Sequence, residues 1–259
     1  MAFEYVDRTS EQTVAAYQRA RDRWLQRRLL VINEAGTRIG TTLDTTRTPQ
    51  ELADVGADHL ADLVTVDLLS SALQEEGTYP VDGPATLRRI AQAVSDGCPD
   101  PAVGTGQTHT YPHGSEPARV LATGQPLRLR ITADDIPTWP AMSADNELAL
   151  RTMGLRSMLL VPLWARGSPL GVAQFARGHT ADPFDDDELL LAQEIASRAA
   201  VNIDNARRYT QERSTALALQ RSLLPQAVPE KSAVETASRY LPSGSRAGVG
   251  GDWFDVIPL

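Results

Sequence analysis

Cysteine is almost missing from this sequence: Cys98 stands alone among 259 residues, so no disulfide can form within the chain. Such sparing use fits a reducing compartment, and a cytoplasmic location is the plain expectation. Aromatic residues are scarce at 5%, which leaves Leu, Val, Ile and Ala to fill the core. No stretch approaches the ~20 apolar residues that a membrane-spanning helix needs. The opening MAFEYVDRTSEQT has neither the basic nor the apolar region of a secretion signal. Positive charge is also short: 25 Lys and Arg face 33 Asp and Glu, for a net charge of −8. That balance argues against nucleic acid or an anionic membrane as partner. The run GVGG at 248–251 lacks the third glycine and the following helix of a dinucleotide fingerprint.

What is present reads as alternating helices and strands, an α+β pattern. Residues 11–40 form a helix with Leu25, Leu29, Ile32 and Ile39 on one face through Gly36; the segment before Trp24 is charged and reads as an exposed lead-in. A second helix follows in TTRTPQELADVGADHLADL, with Thr48 as its cap, Pro49 in its first turn and Glu51 placed as in a capping box. VTVDLLSSAL reads as a strand and ATLRRIAQAVS as its partner. Residues 95–117 are rich in Gly, Pro, Ser and Thr and predict a long surface loop. SEPARVLATG predicts a short helix capped by Ser115 and stopped by Gly124, and PLRLRI a strand. DDIPTWPAMSADNELALRTMG is irregular and ends in a helix stopped by Gly154. LRSMLLVPLWARGSPLGVAQFARG predicts a hairpin about ARGSP, although Pro162 lacks a ladder donor and prefers an edge or bulge.

The longest element starts at FDDDELLLAQEIASRAAVNI and meets no Gly or Pro before Pro225. Asp185, Asp186, Asp187 and Glu188 crowd its N-terminus, where acids favour the helix dipole. At 1.5 Å per residue it reaches roughly 55–60 Å. Leu191, Ile195, Asn202, Ala206, Tyr209, Ala216 and Leu223 fit a heptad seam broken by Arg198, Arg213 and Gln220. A homodimer through this helix is the preferred reading, against a solvated charged rod. Beyond PQAVPEKS, the last residues read as two strands around a glycine-rich turn, too few for a core.

Residues 25–209 resemble a GAF domain, a ligand-sensing module related to PAS. The resemblance rests on LLVINEAGTRIGTTLDTTRTPQELADVGADHL, ARVLATGQPL and above all GLRSMLLVPLWARGSPLGVAQFARG followed by PFDDDELLLAQEIASRAAVNIDNARRY. It implies an antiparallel sheet flanked by helices, a long C-terminal signalling helix and a small-molecule ligand of unknown identity. Residues 216–259 resemble the N-terminal edge of the SpoIIE-type PPM protein serine/threonine phosphatases, through LQRSLLPQAVPE and ASRYLPSGSRAGVGGDWFDV. That resemblance implies that Asp252, after Gly250 and Gly251, binds one of two Mn²⁺ or Mg²⁺ ions. Hard cations want carboxylate oxygens, and a metal pair can activate water against a phosphoserine or phosphothreonine. The implied substrates are regulatory phosphoproteins of the anti-sigma-factor antagonist type. Asp255 reads as an ordinary strand residue.

The family's later D-G-x-G aspartate has no counterpart here. The expectation is therefore a piece of a larger protein: a lead-in helix at 1–24, a sensor at 25–209, the end of a signalling helix at 210–228 and the start of a phosphatase domain at 229–259, inactive by itself. The alternative is a stand-alone ligand-binding or dimerisation module. Within the sensor, Cys98 is either a bilin anchor or a loop thiol, and DGCPDP lacks the adjacent histidine of bilin sites. His109 and His113 either share a metal or sit in a loop unconnected to any ion. His59 is either a haem ligand or a partly buried structural histidine. Trp139 either lines a ligand pocket or anchors its loop.

Overall fold

The computed structural model describes residues 2–73, 85–96, 98, 101, 103–132, 154–178 and 182–223. Trp139, the helix expected before Gly154, the two terminal strands, and Gly250, Gly251 and Asp252 lie outside the described residues. Residues 1–207 form one compact unit and residues 208–259 a second.

Among the described residues the elements are, in order, α1 (Ala2–Arg38), α2 (Arg47–His59), β1 (Leu63–Leu69), α3 (Ser70–Leu73), β2 (Ala85–Val94), β3 (Thr108–Tyr111), α4 (Glu116–Thr123), β4 (Leu127–Arg130), β5 (Ser157–Ala165), β6 (Ser168–Arg177) and α5 (Asp186–Leu223). The strands make one six-stranded sheet in the order β3-β2-β1-β6-β5-β4. Every neighbouring pair is antiparallel. The class is α+β, as the pattern of elements implies.

β1 lies at the centre and is buried along its whole length, which explains its nearly unbroken apolar run. β5 and β6 are joined by the expected hairpin, with Arg166 at φ 51° and Gly167 at φ 79°. Two consecutive positive φ values are what a two-residue loop needs to match strand twist. Pro162 pairs with Val172 on β6, while β4 pairs with β5 only from Ser157 to Leu160. The proline therefore sits where its strand has a neighbour on one side only.

Strand register assigns the two faces of the sheet. Val64 pairs with Phe175, and both touch Gly56 of α2. A Cβ at Gly56 would come 2.8 Å from the Phe175 ring, so only glycine lets α2 approach this closely. α1 packs on α2. It also meets α5, where Arg198 donates to the Gly36 carbonyl at 2.8 Å and Arg28 pairs with Glu194. The opposite face carries Thr65, Asp67, Arg89 and Gln174.

Several expectations need correction. Among the described residues of α1 and at its end, Val31, Ala35 and Ile39 are buried and Ile32 is partly buried against the core, while Leu25 and Leu29 are 41% and 67% exposed. This buried row repeats every fourth residue where α2 and α5 lie alongside. Thr48 does not cap α2. The helix begins at Arg47 with Thr46 at its N-cap, two residues earlier, where Asp44 Oδ1 accepts from the backbone of Thr46 and Arg47. Thr48 is buried, and Glu51 instead takes Gly40 N–H and the Thr41 hydroxyl. The 95–117 stretch is not all loop, because THTY forms β3 on the edge beside β2. Ser115 and Gly124 bound α4 as expected, Gly124 in the left-handed region at φ 65°.

At the start of α5, Glu188 N–H donates to Asp185 Oδ1 at 2.8 Å and Asp185 N–H donates to Glu188 Oε2 at 3.0 Å. The acidic run thus contains a reciprocal capping box besides its dipole effect. Leu191, Ala192, Ile195, Ala196, Ala199, Ala200, Ile203 and Ala206 are all buried in the first unit. Three residues of the proposed seam, Leu191, Ile195 and Ala206, therefore belong to this domain's own core, whereas Tyr209 is 44% exposed.

Candidate functional site

A buried polar cluster occupies the sheet face opposite α2. It grows from strand register: Asp67 on β1 lies across from Arg89 on β2, and β3 and β6 bring Tyr111 and Gln174 within reach. Arg89 Nε donates to Asp67 Oδ1 at 2.8 Å, and a second guanidinium nitrogen donates to Oδ2 at 3.1 Å. Tyr111 OH and Gln174 Nε2 donate to the same Oδ2 at 3.1 and 3.0 Å. The remaining guanidinium nitrogen of Arg89 donates to the Val103 carbonyl at 2.9 Å, fixing the loop that leads into β3. Opposite Val66 and Asp67 the partner strand β2 bulges: Ala91 pairs with Val66 and Arg89 with Asp67, so the extra residue Ile90 brings Arg89 opposite the carboxylate.

Asp67 is fully buried. Burial by itself raises its carboxyl, but the Arg89 guanidinium and the His109 ring together outweigh that and hold it well below the usual carboxylate range. The Tyr111 phenol is pushed well above its usual value, first by burial and then by the Asp67 charge. At neutral pH the cluster is thus an ion pair braced by a neutral phenol and an amide. Four donors converge on the carboxylate, three of them on Oδ2, and a carboxyl held this far below its usual range is a poor acceptor for a substrate proton. The arrangement suits bracing and recognition rather than acid–base chemistry.

His109 stands at the edge of this cluster, its ring 4.9 Å from Tyr111 in an edge-to-face contact. Its Nε2 comes 3.4 Å from Asp67 Oδ2 without hydrogen-bond alignment, and neither ring nitrogen has a hydrogen-bond partner. His113 lies exposed beyond the end of β3, so the two histidines do not converge. His59 is a structural residue of the helical layer: its Nε2 lies 2.8 Å from Glu34 Oε2, and its carbonyl accepts from Arg27. Those contacts occupy it away from any haem. Cys98 is a half-buried loop thiol, pushed up by burial and by the Asp62 charge, which lowers its reactivity. Among the described residues no group of three or more His, Cys, Asp or Glu side chains could hold a metal ion.

The GAF domain family matches residues 48–203, well over half of the chain. The chain belongs to the GAF family. Among solved structures, the GAF domain of a phosphoenolpyruvate-protein phosphotransferase from Coxiella burnetii superimposes with a TM-score of 0.53 at 16% identity, covering 71% of this chain and 97% of that one. The blue-light absorbing form of the PixJ GAF domain from Thermosynechococcus elongatus is 18% identical, with a TM-score of 0.46 over 69% of this chain and 94% of that one. A far-red absorbing protein with bound biliverdin IXα is 14% identical, with a TM-score of 0.47 over 68% of this chain and 98% of that one. No curated protein matches the chain. At these identities the structural likeness speaks for the GAF fold. No helix among the described residues is long and apolar enough to cross a membrane.

Asp67 and Arg89 were not singled out by sequence reasoning. The signal was available: an aspartate inside VTVDLL and an arginine inside the alternating ATLRRIA are charges of opposite sign on two buried strands. Such charges persist in a sheet only when paired.

Proposed function

We propose that this GAF domain is the sensory region of a metal-dependent PPM-type protein serine/threonine phosphatase, which a small ligand or a partner regulates through α5. The continuity of α5 carries this reading. A helix of 38 residues begins after β6, and in the sequence the LLPQ and VGGDWFD motifs follow from its end. In this reading Asp252 is the residue that would take Mn²⁺ or Mg²⁺, joined by carboxylates from outside the described residues. A bound metal pair would supply a hydroxide for attack on a phosphoserine or phosphothreonine of a regulatory phosphoprotein. The test is Mn²⁺-dependent phosphate release from a phosphoserine protein by the complete parent protein, with and without Asp252→Ala. Absence of activity in the parent, or full activity in the variant, removes the phosphatase reading and leaves a ligand-binding GAF module.

Homodimerisation belongs to the same proposal. Leu25, Leu29 and Leu30 on α1 and Leu190 and Val201 on α5 are each at least 41% exposed. Beyond the part of α5 that packs on its own domain, Tyr209 and Ala216 of the heptad register are exposed as well. Light scattering over a concentration series reads it directly: a monomer at every concentration excludes it.

A further inference from the structure

We infer that Arg177 and Glu188 form the latch through which the sheet sets the position of α5. This rests on reading the domain as a sensor with α5 as its output. Arg177 is the last residue of β6, and its side chain is only 6% exposed. One guanidinium nitrogen donates to the Leu60 carbonyl at the end of α2 at 2.6 Å and to Glu188 Oε1 at 3.0 Å. The other donates to Glu188 Oε2 at 3.2 Å and to the Asp182 carbonyl at 3.1 Å. The plane of the group lies 4.1 Å from the Phe184 ring centre. One buried fork therefore joins the sheet, α2 and the first turn of α5.

Glu188 has two duties. It closes the capping box with Asp185, and it receives the bidentate fork. The rest of the α5 entry is tied to the same sheet. Ser157 on β5 accepts from Phe184 N–H at 3.1 Å, and Arg128 on β4 donates to the Phe184 carbonyl at 2.8 Å. Three residues before Arg177 on the same strand, Gln174 belongs to the Asp67 cluster on the opposite face. A strand is stiff along its axis. A change in the cluster moves Gln174, and β6 delivers that movement to the fork and so to the root of α5. Arg177 is a positioning residue, and coupling of this kind needs physically contiguous groups, which the fork supplies.

Glu188→Gln separates the two duties, because glutamine still closes a capping box but cannot receive the charged fork. The perturbing change is Tyr111→Phe, which removes one donor from Asp67 without a ligand being needed. In the otherwise unaltered chain, Tyr111→Phe is expected to shift the amide resonances of residues 189–200. In the Glu188→Gln background those shifts should fall by at least about fivefold. Circular dichroism should show α5 helicity retained. Arg177→Lys, which keeps charge and loses the fork, should behave like Glu188→Gln. Shifts of equal size in all backgrounds, or none in the parent chain, would overturn the latch. Failure of a phosphatase assay would leave this result untouched, since it reads the domain alone.

Discussion

Replacing Arg89 by Met tests the electrostatic reading of the sheet cluster most directly. The substitution keeps most of the side-chain volume but removes both charge-assisted bonds to Asp67, at 2.8 and 3.1 Å. Each such bond is worth about 1.5–3 kcal/mol, and stranding one charge of a buried pair costs about 3–5 kcal/mol. A loss near the upper part of that range is expected at pH 7.5, because Asp67 is fully buried. The pH dependence is more telling. In the parent chain Asp67 sits below the unfolded carboxylate value, so its contribution is present above that value and lost as pH falls through the folded one. Without Arg89, burial is opposed by His109, Tyr111 and Gln174 but by no permanent charge, and the folded carboxyl is expected to rise above the unfolded value. Its sign then reverses: the folded state binds the proton more tightly, and stability from this group falls as pH rises. The deficit of Arg89→Met should therefore shrink between pH 7.5 and pH 4.5. Urea titrations followed by circular dichroism, at one fixed protein concentration, measure both quantities. A deficit under about 1 kcal/mol, or one independent of pH, would refute the account.

Other outcomes follow from the same geometry. Asp67→Leu combined with Arg89→Met should cost less than Arg89→Met alone, because Tyr111 and Gln174 still bond each other; a denaturation cycle measures the coupling. Gly56→Ala should destabilise by about 1–2 kcal/mol net, since the new methyl meets Phe175 and Val64 at 2.8 and 3.0 Å and overpacking outweighs the gain in helix propensity. A raised melting temperature would show that the α2–sheet contact yields easily. Glu34 is lowered by hydrogen bonds from Arg38 and His59, so its contribution is present above the unfolded value and lost as pH falls through the folded one. Glu34→Gln should accordingly flatten the acid limb of melting temperature between pH 5 and pH 3.5. Protein purified from cells supplied with biliverdin should be colourless and carry no covalent bilin at Cys98; visible absorbance would contradict that.

Strands and helices were legible where one physical signal dominated. ARGSP announced its hairpin through turn chemistry, and the acidic run announced α5 through the dipole. β3 was missed because THTY is short and polar, and its pairing with β2 is a tertiary fact that local pattern does not carry. The α1 face was misread because Leu25 and Leu29 sit at helical spacing from Ile32 and Ile39, yet only the C-terminal turns have helices to pack against. On α5 a heptad register alone does not say whether a domain's own core or another chain fills it; LLAQEIASRAAVNI packs on its own domain, and Tyr209 beyond it is exposed. Gly56 went unremarked inside α2, although a helix-interior glycine costs stability unless something needs the space. The cluster around Asp67 depends on a bulge and on residues from four strands, and no linear window contains both.

The small side chains along α5 have a mechanical corollary. Ala192, Ala196, Ala199 and Ala200 let the rod seat deeply, and Leu191, Ile195 and Ile203 key it against the layer beneath. Spinning it by one position, about 100°, would pull those keys into water and cost several kcal/mol. Azimuth is therefore locked. Whatever travels along this helix must travel as a lean, or as a slide in strides of about 5.4 Å.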